Sequence, residues 1–233
     1  MADKARAVRA MFGAIAPRYD LLNHLLSGNI DRRWRRRFVR EVSLRLSAPR
    51  PAILDVGCGT GDLSLAFADL GPVVGGDFCH PMLCIGRDKA ARSRRSFPVS
   101  LVEGDALALP FPDGSFDVVV SAFVLRNLAD IQKGLREMRR VLRPGGVLGI
   151  LDFSMPGMPV IGRLYRFYFL YILPKLGELI SGVKGPYTYL PDSVQAFPGP
   201  EELKAQMGRA GFGEMEHRMF TGGIAMLLLA KPA

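Results

Sequence analysis

The 233-residue chain is poor in cysteine, histidine and tryptophan, with three, three and one. Cys58, Cys79 and Cys84 are an odd set without metal-ligand spacing. No disulfide framework and no metal site are therefore expected, and a reducing cytoplasm fits better. No uninterrupted apolar stretch reaches the ~18 residues of a membrane span. The first twenty residues carry charge at apolar positions and lack a signal-peptide core. Internal repeats and low-complexity linkers are also lacking. Acids are outnumbered, 22 against 31 Lys and Arg, for a formal net charge of +9.

That excess attracts nucleic acid, an anionic membrane surface or acidic ligands. Much of it lies in the run from Asp31 to Arg40, which holds Arg32, Arg33, Arg35, Arg36 and Arg37. The run reads either as a solvated helix face or as a contact for anionic headgroups. A hydrophobic content of 48% and this length suit one large domain.

Apolar residues recur at helical spacing over 4–46, with Pro17 and the turn at 27–29 dividing the region into about three helices. From residue 51 short apolar runs alternate with helical segments. Strands are predicted at 52–56, 73–77, 99–103, 116–123 and 147–153, the last after a Pro144-Gly145-Gly146 turn. Helices are predicted at 62–70, 81–95, 130–142 and 201–210. Segments 214–220 and 224–230 would form an antiparallel pair joined at Thr221-Gly222-Gly223. The alternation implies an α/β fold: a parallel sheet covered by helices, five parallel strands plus a terminal antiparallel hairpin. We divide the single domain into an N-terminal helical cap (1–48), a cofactor-binding core (49–156), a substrate-lid insertion (157–200) and a terminal helix with hairpin (201–233).

The strongest local signal is the 53–63 segment, in which Asp55 precedes Gly57, Gly59, Thr60 and Gly61. A buried strand runs into a glycine turn that opens a helix, so a ligand can lie against the backbone. The spacing is Gly-x-Gly-x-Gly, unlike that of dinucleotide binders, whose pyrophosphate sits on the helix N-terminus. S-adenosylmethionine (SAM) has no pyrophosphate. It carries a sulfonium, an amino group and a carboxylate, so Asp55 beside the loop makes electrostatic sense, and Thr60 can supply a hydroxyl. Asp77, ending the second strand, is placed to hold ribose hydroxyls, and Asp105, with Ala106 after the third strand, to meet an adenine amino group. Each feature alone is a common turn or helix cap. Together, in this order, they describe a class I SAM-methyltransferase site at the carboxyl ends of the strands.

From about Val8 onward the chain resembles the quinone C-methyltransferases of menaquinone and ubiquinone biosynthesis, the UbiE/MenG group. The resemblance rests on Tyr19, Asp20, Asn23, Ser27 and Trp34, on segments 55–63, 109–117 and 140–146, and on Leu125-Arg126-Asn127. It implies SAM contacts at Thr60, Asp77, Asp105 and Ala106. Two positions depart from the family: Asp31 stands where His is usual, and Ala122 where Ser is frequent, so no side-chain contact is carried over at 121 or 122. The segments 197–203 and 220–223 look more like the menaquinone branch.

The implied reaction is methylation of an unsubstituted ring carbon of a prenylated quinol, demethylmenaquinol or the ubiquinone precursor. Arg126 with Asn127 is the candidate for steadying the developing phenolate. Asp152, Tyr19, Tyr165 and His217 are candidate bases. The insertion, with Met155, Met158, Phe167, Tyr168, Phe169 and Tyr171, is expected either to form a lipid-facing lid with the N-terminal helices or to pack as an ordinary amphipathic helix. Expected partners are thus the prenylated quinol and a membrane surface, in the cytoplasm or at the inner face of the membrane, with oligomeric state open. Nucleic acid is not expected: segment 119–127 has no Asn/Asp-Pro-Pro-Tyr-like motif, and no cysteine is placed as a pyrimidine nucleophile. Another small-lipid methyltransferase, or a non-catalytic scaffold, would share the glycine loop, although a scaffold has no need of Asp55, Asp77 and Asp105.

Overall fold

The computed structural model describes residues 2–157, 161–181 and 186–233, so Met158 of the insertion lies outside the described residues. The cap is three helices, α1 (Ala2–Ile15), α2 (Tyr19–Leu26) and α3 (Ile30–Ser43), with a 3₁₀ turn, Ala16–Arg18, between the first two. The core alternates β1 (Ile53–Val56), α4 (Asp62–Phe67), β2 (Val73–Asp77), α5 (His80–Arg92), β3 (Val99–Glu103), β4 (Phe116–Ala122), α6 (Ile131–Val141) and β5 (Leu142–Phe153). The insertion holds α7 (Ile161–Phe167), a π turn at Tyr168–Ile172, α8 (Leu173–Ser181) and α9 (Pro186–Gln195). The chain ends with α10 (Pro200–Arg209), β6 (Phe212–Phe220) and β7 (Ala225–Pro232).

The seven strands run in the order β3-β2-β1-β4-β5-β7-β6. The first five are parallel, and β7 pairs antiparallel with both β5 and β6. The topology reverses beside β1, where strands diverge on either side of one carboxyl end and leave a crevice for a ligand. Alternation along β4 sends Val119 to a core shared with Leu135, Met138 and Leu203, and Val118 and Val120 to the core of the opposite face with Trp34, Phe38 and Phe67. Gly149 of β5 lets α3 dock: a Cβ there would lie 2.4 Å from the Phe38 ring. Trp34 fastens the same helix to the far end of the chain, its Nε1 donating to Thr221 Oγ1 at 2.8 Å.

Boundaries differ from expectation in explicable ways. Asp130 caps α6, its carboxylate accepting from Lys133 N, so the helix proper starts one residue later. Leu142 already pairs with Phe116, and the ladder then resumes at Val118 with Val147. The Pro144-Gly145-Gly146 turn is therefore an excursion within β5 and not its beginning. Helix α5 stops at Arg92 because Ser93 is extended.

Candidate functional site

A cleft in two lobes opens at the carboxyl ends of β1, β2 and β4. The first lobe, about 250 Å³, is lined by Gly57, Gly59, Asp77, Asp105, Ala106 and Asn127, with Val8 and Phe12 of α1 as its roof. The second, about 130 Å³, is lined by Asp55, Thr60, Asp31, Arg35, Arg126 and Tyr189. Phe12, Tyr19, Gly57, Gly59, Ala122 and Phe123 line both, so the lobes join. Gly61 lines neither; it precedes α4 in a left-handed conformation and shapes the entry to that helix. Ser121 turns away, donating to Val56 O at 2.8 Å, while Ala122 faces the cleft.

The glycine loop is held by backbone geometry. Gly57 sits at φ +72°, and a Cβ there would fall 2.4 Å from Val124. Asp77 braces the loop from below: Gly59 N donates to one carboxylate oxygen and Cys79 N to the other, each at 2.8 Å. Burial nonetheless pushes the Asp77 carboxyl above its ordinary range. A carboxylate has about four acceptor sites, so capacity remains for further donors. Asp105 Oδ1 accepts from Leu107 N at 2.8 Å, which shapes the turn carrying Ala106.

Asp55 is different. One oxygen accepts from Ser64 at 2.6 Å; the other is buried and has no partner among the described residues. Burial, reinforced by the neighbouring Asp77 charge, pushes its carboxyl up to about 7. A buried, half-satisfied carboxylate beside a glycine cradle fits a cationic ligand, which would supply the missing partner. These donors and acids suit SAM, with its sulfonium and amino group.

The second lobe is walled by side chains. Phe123 ends β4 at φ +63°, a conformation costly for a bulky residue. Its ring lies 4.6 Å from Phe153 and 6.2 Å from Trp34. Arg126 follows on a 3₁₀ turn (Leu125–Asn127), buried, pairing with Asp152 at 2.6 Å and stacking its guanidinium 5.1 Å over Phe153. Arg126 Nε and Asp152 Oδ2 have no hydrogen-bond partner among the described residues. Arg126 and Asn127 point into different lobes. The Asn127 amide donates to Phe123 O at 3.2 Å and accepts from Tyr189 Oη at 3.1 Å, so it braces the strained strand end against α9.

The candidate bases separate as well. His217 lies on β6 beside Glu201, and Tyr165 stacks on Phe169; neither lines the cleft. Tyr19 lines both lobes, but burial raises its pKa and keeps its proton in place. Burial likewise raises Asp152, although the Arg126 charge pulls the other way.

Sequence reading missed the ionic network that fastens the cap. Asp31, where the resembled family has His, is buried and accepts from His24 Nδ1, Ser27 Oγ and Arg35, each at 2.8 Å. Arg35 also lies 3.5 Å from Asp62. Thr60 Oγ1 donates to Asp20 at 2.6 Å, and Lys89 bridges Asp20, Thr60 and Asp62. The Thr60 hydroxyl, expected to serve the cofactor, lines the second lobe and gives its proton to the cap. The cue was Tyr19-Asp20-Leu21-Leu22-Asn23, visible as a motif without a visible partner. Lys4 Nζ adds a latch, donating to the Arg126 and Leu128 carbonyls at 3.2 and 2.8 Å.

Comparison with known proteins agrees with this architecture. The model of the ubiE/COQ5 methyltransferase family matches residues 1–231. A demethylmenaquinone methyltransferase of Thermus thermophilus is 52% identical over 220 residues, 93% of this chain and 97% of its own. The ubiquinone/menaquinone biosynthesis C-methyltransferase UbiE of a Geobacter species is 48% identical, covering 97% and 96%. Among solved structures, a SAM-dependent methyltransferase of Thermotoga maritima, a possible histamine N-methyltransferase by its title, shares the fold at a TM-score of 0.63 and 18% identity, covering 96% of this chain and 99% of that one. Full-length match, seven-stranded sheet and glycine cradle agree: the chain belongs to the ubiE/COQ5 methyltransferase family.

Proposed function

We propose that the protein methylates a ring carbon of demethylmenaquinol with SAM, giving menaquinol. The observation that carries this reading is the joining of two lobes: one, with Gly57, Gly59, Asp77 and Asp105, suits a nucleoside, and the other, joined to it at Tyr19 and Phe123, sets Asp55, for a cationic centre, beside the Phe123 and Phe153 rings and the buried Arg126 guanidinium. The 52% identity to a protein named demethylmenaquinone methyltransferase supports the same acceptor.

Bound SAM supplies a methyl group on a sulfonium. The chain's part is to hold it and to aim the acceptor. Gly57 and Gly59 would carry the ligand's backbone-facing edge, Asp77 and Asp105 its nucleoside, and Asp55 its positive end. The quinol ring would lie against Phe123 and Phe153, its reacting carbon in line with methyl and sulfur, and this alignment is a large part of such catalysis. The quinol hydroxyl gives up its proton, placing charge on oxygen that the ring carbon uses to take the methyl group while the C–S bonding pair leaves with the thioether. Loss of the ring C–H proton then returns charge to that oxygen, which takes one proton back, so one proton is released overall. Arg126, with an unused Nε–H in a water-poor setting, is placed to steady that charge. Asp152 orients the guanidinium from behind.

Pyrimidine-type chemistry has no support: Cys58 is buried and its thiol is held well above the ordinary range by burial and by Asp55 and Asp77. A second acceptor, the ubiquinone precursor benzoquinol, is favoured by the name of the Geobacter relative. No helix among the described residues is long and apolar enough to cross a membrane. Action on a lipid quinol would take place at a membrane surface, which we place at the inner face of the membrane. The deciding assay offers labelled SAM with demethylmenaquinol, the benzoquinol or tRNA. Label in demethylmenaquinol is expected; label in RNA alone would overturn the proposal.

A further inference from the structure

Helix α2 buries Leu22 but turns two other leucines outward. Its polar residues face inward: Asp20 to Thr60 and Lys89, Asn23 to the second lobe, His24 to Asp31. Leu21 and Leu25, one turn apart, are instead 61% and 56% exposed. Surface helices normally bury the apolar stripe and wet the polar one.

The neighbouring arm also turns apolar side chains outward. Helix α8 packs on α2 around a small core of Leu22, Phe169 and Leu173. Along segment 161–181 Phe167, Tyr171, Leu176 and Leu179 are exposed, Leu179 at 80%. Seven of the nine large apolar side chains exposed among the described residues lie on α2 and on segment 161–181. That concentration marks a contact surface and not scatter.

Charge indicates what covers it. Segment 161–181 contains one acid, Glu178, against Arg163, Arg166 and Lys175. Arg32, Arg33 and Arg36 are exposed on α3, which packs against α2, and no carboxylate pairs with them among the described residues. An apolar face rimmed by cations suits anionic headgroups over an acyl layer. The opposite side of α2 is itself a wall of the cleft through Tyr19 and Asn23, with Tyr189 and Leu190 of α9 beside it.

We propose that the outer face of α2 and the α7–α8 arm rests on a bilayer containing anionic lipid, and that the acceptor passes from it into the second lobe beside α2. This rests on the lipid-tailed acceptor proposed above. The test uses the full chain and flotation with phosphatidylcholine vesicles, with and without phosphatidylglycerol. Wild type should float with the anionic vesicles at low salt and be released by high salt. Leu25→Glu with Leu179→Glu should cut the bound fraction about tenfold, and Arg32→Glu with Arg33→Glu should remove the preference for phosphatidylglycerol. Both pairs should methylate a tail-less, water-soluble naphthoquinol at the wild-type rate, which also shows that they fold. Should the Glu pair unfold, Leu21→Ser with Leu25→Ser replaces it. A wild type that stays unbound, or a leucine variant that floats equally well, overturns the membrane surface. So does a wild-type dimer that the leucine changes make monomeric, because the face would then be covered by a second copy. Failure to methylate any naphthoquinol would instead count against the acceptor, whatever the vesicles do.

Discussion

The two lobes of the cleft reach similar burial by different means. In the first, backbone makes the floor: Gly57 and Gly59 present their chain, and Asp77 braces it through two backbone amides. In the second, side chains make the walls, and they come in pairs that neutralise one another: Arg126 with Asp152, Asp31 with His24 and Arg35. A backbone floor tolerates many side chains but no Cβ at its close approach. A side-chain wall tolerates backbone drift but not the loss of one partner. The glycine cradle and its acids should therefore govern whether ligand binds, and the Arg126 side of the second lobe whether bound ligand reacts.

Arg126→Ala tests that division most severely. Turnover should fall about 10²–10³-fold, the usual loss for a removed charge-stabilising donor, while SAM affinity, read by calorimetry, stays put. The change also strands Asp152 in the interior, a destabilisation of about 3–5 kcal/mol. Arg126→Ala with Asp152→Ala should restore much of the stability and none of the turnover; full turnover in either variant would refute the role. Gly57→Ala attacks the cradle. The left-handed conformation and the Val124 contact together should cost about 1–3 kcal/mol of stability, with weakened SAM binding. Unchanged SAM binding would show that the cradle is not the cofactor's.

Asp55 sharpens the comparison by pH. Its carboxyl is raised from 3.8 to about 7 in the ligand-free fold. The folded state thus holds the proton more tightly than the unfolded chain does. Ligand-free stability should decline as pH rises from 3.8 to about 7 and then level off. A cationic ligand prefers the ionised carboxylate, so SAM affinity should climb over the approach to neutral pH and flatten above it. Asp55→Asn should flatten that climb and weaken binding about tenfold at neutral pH, some 1.4 kcal/mol; a pH profile identical to wild type would remove Asp55 from the site. The smallest effect is expected for Thr60→Val, which removes the hydrogen bond to Asp20. A loss of about 1 kcal/mol with a modest rise in the SAM dissociation constant would mark the hydroxyl as a fastening for the cap. A large rise would return it to the cofactor.

The same contrast explains what could be read from sequence. The strand-glycine-helix segment at 53–63 and the acids at 77 and 105 were legible because backbone constraints leave few residue choices and fix their spacing. The sheet followed from alternation alone. Arg126 and Asn127 were legible as a motif, yet their division between lobes depends on a 3₁₀ turn that adjacent positions do not announce. The cap network was not legible, since Lys89 and Asp20 are 69 positions apart and Trp34 and Thr221 are 187 apart. Tyr189 sits in an insertion whose periodicity does not point to Asn127, 62 residues earlier.

The anchoring of α3 also bears on how the protein is made. The cap leaves the ribosome first, but Phe38 needs the gap at Gly149, and Trp34 needs the hydroxyl of Thr221. Such distant pairings form late, after the loop-closure entropy between them has been met. A chain lacking the last strands would keep the cap's ties to the glycine loop through Asp20 and Arg35 but lose the outer anchor of α3. Full seating of α3 thus awaits the 212–232 hairpin.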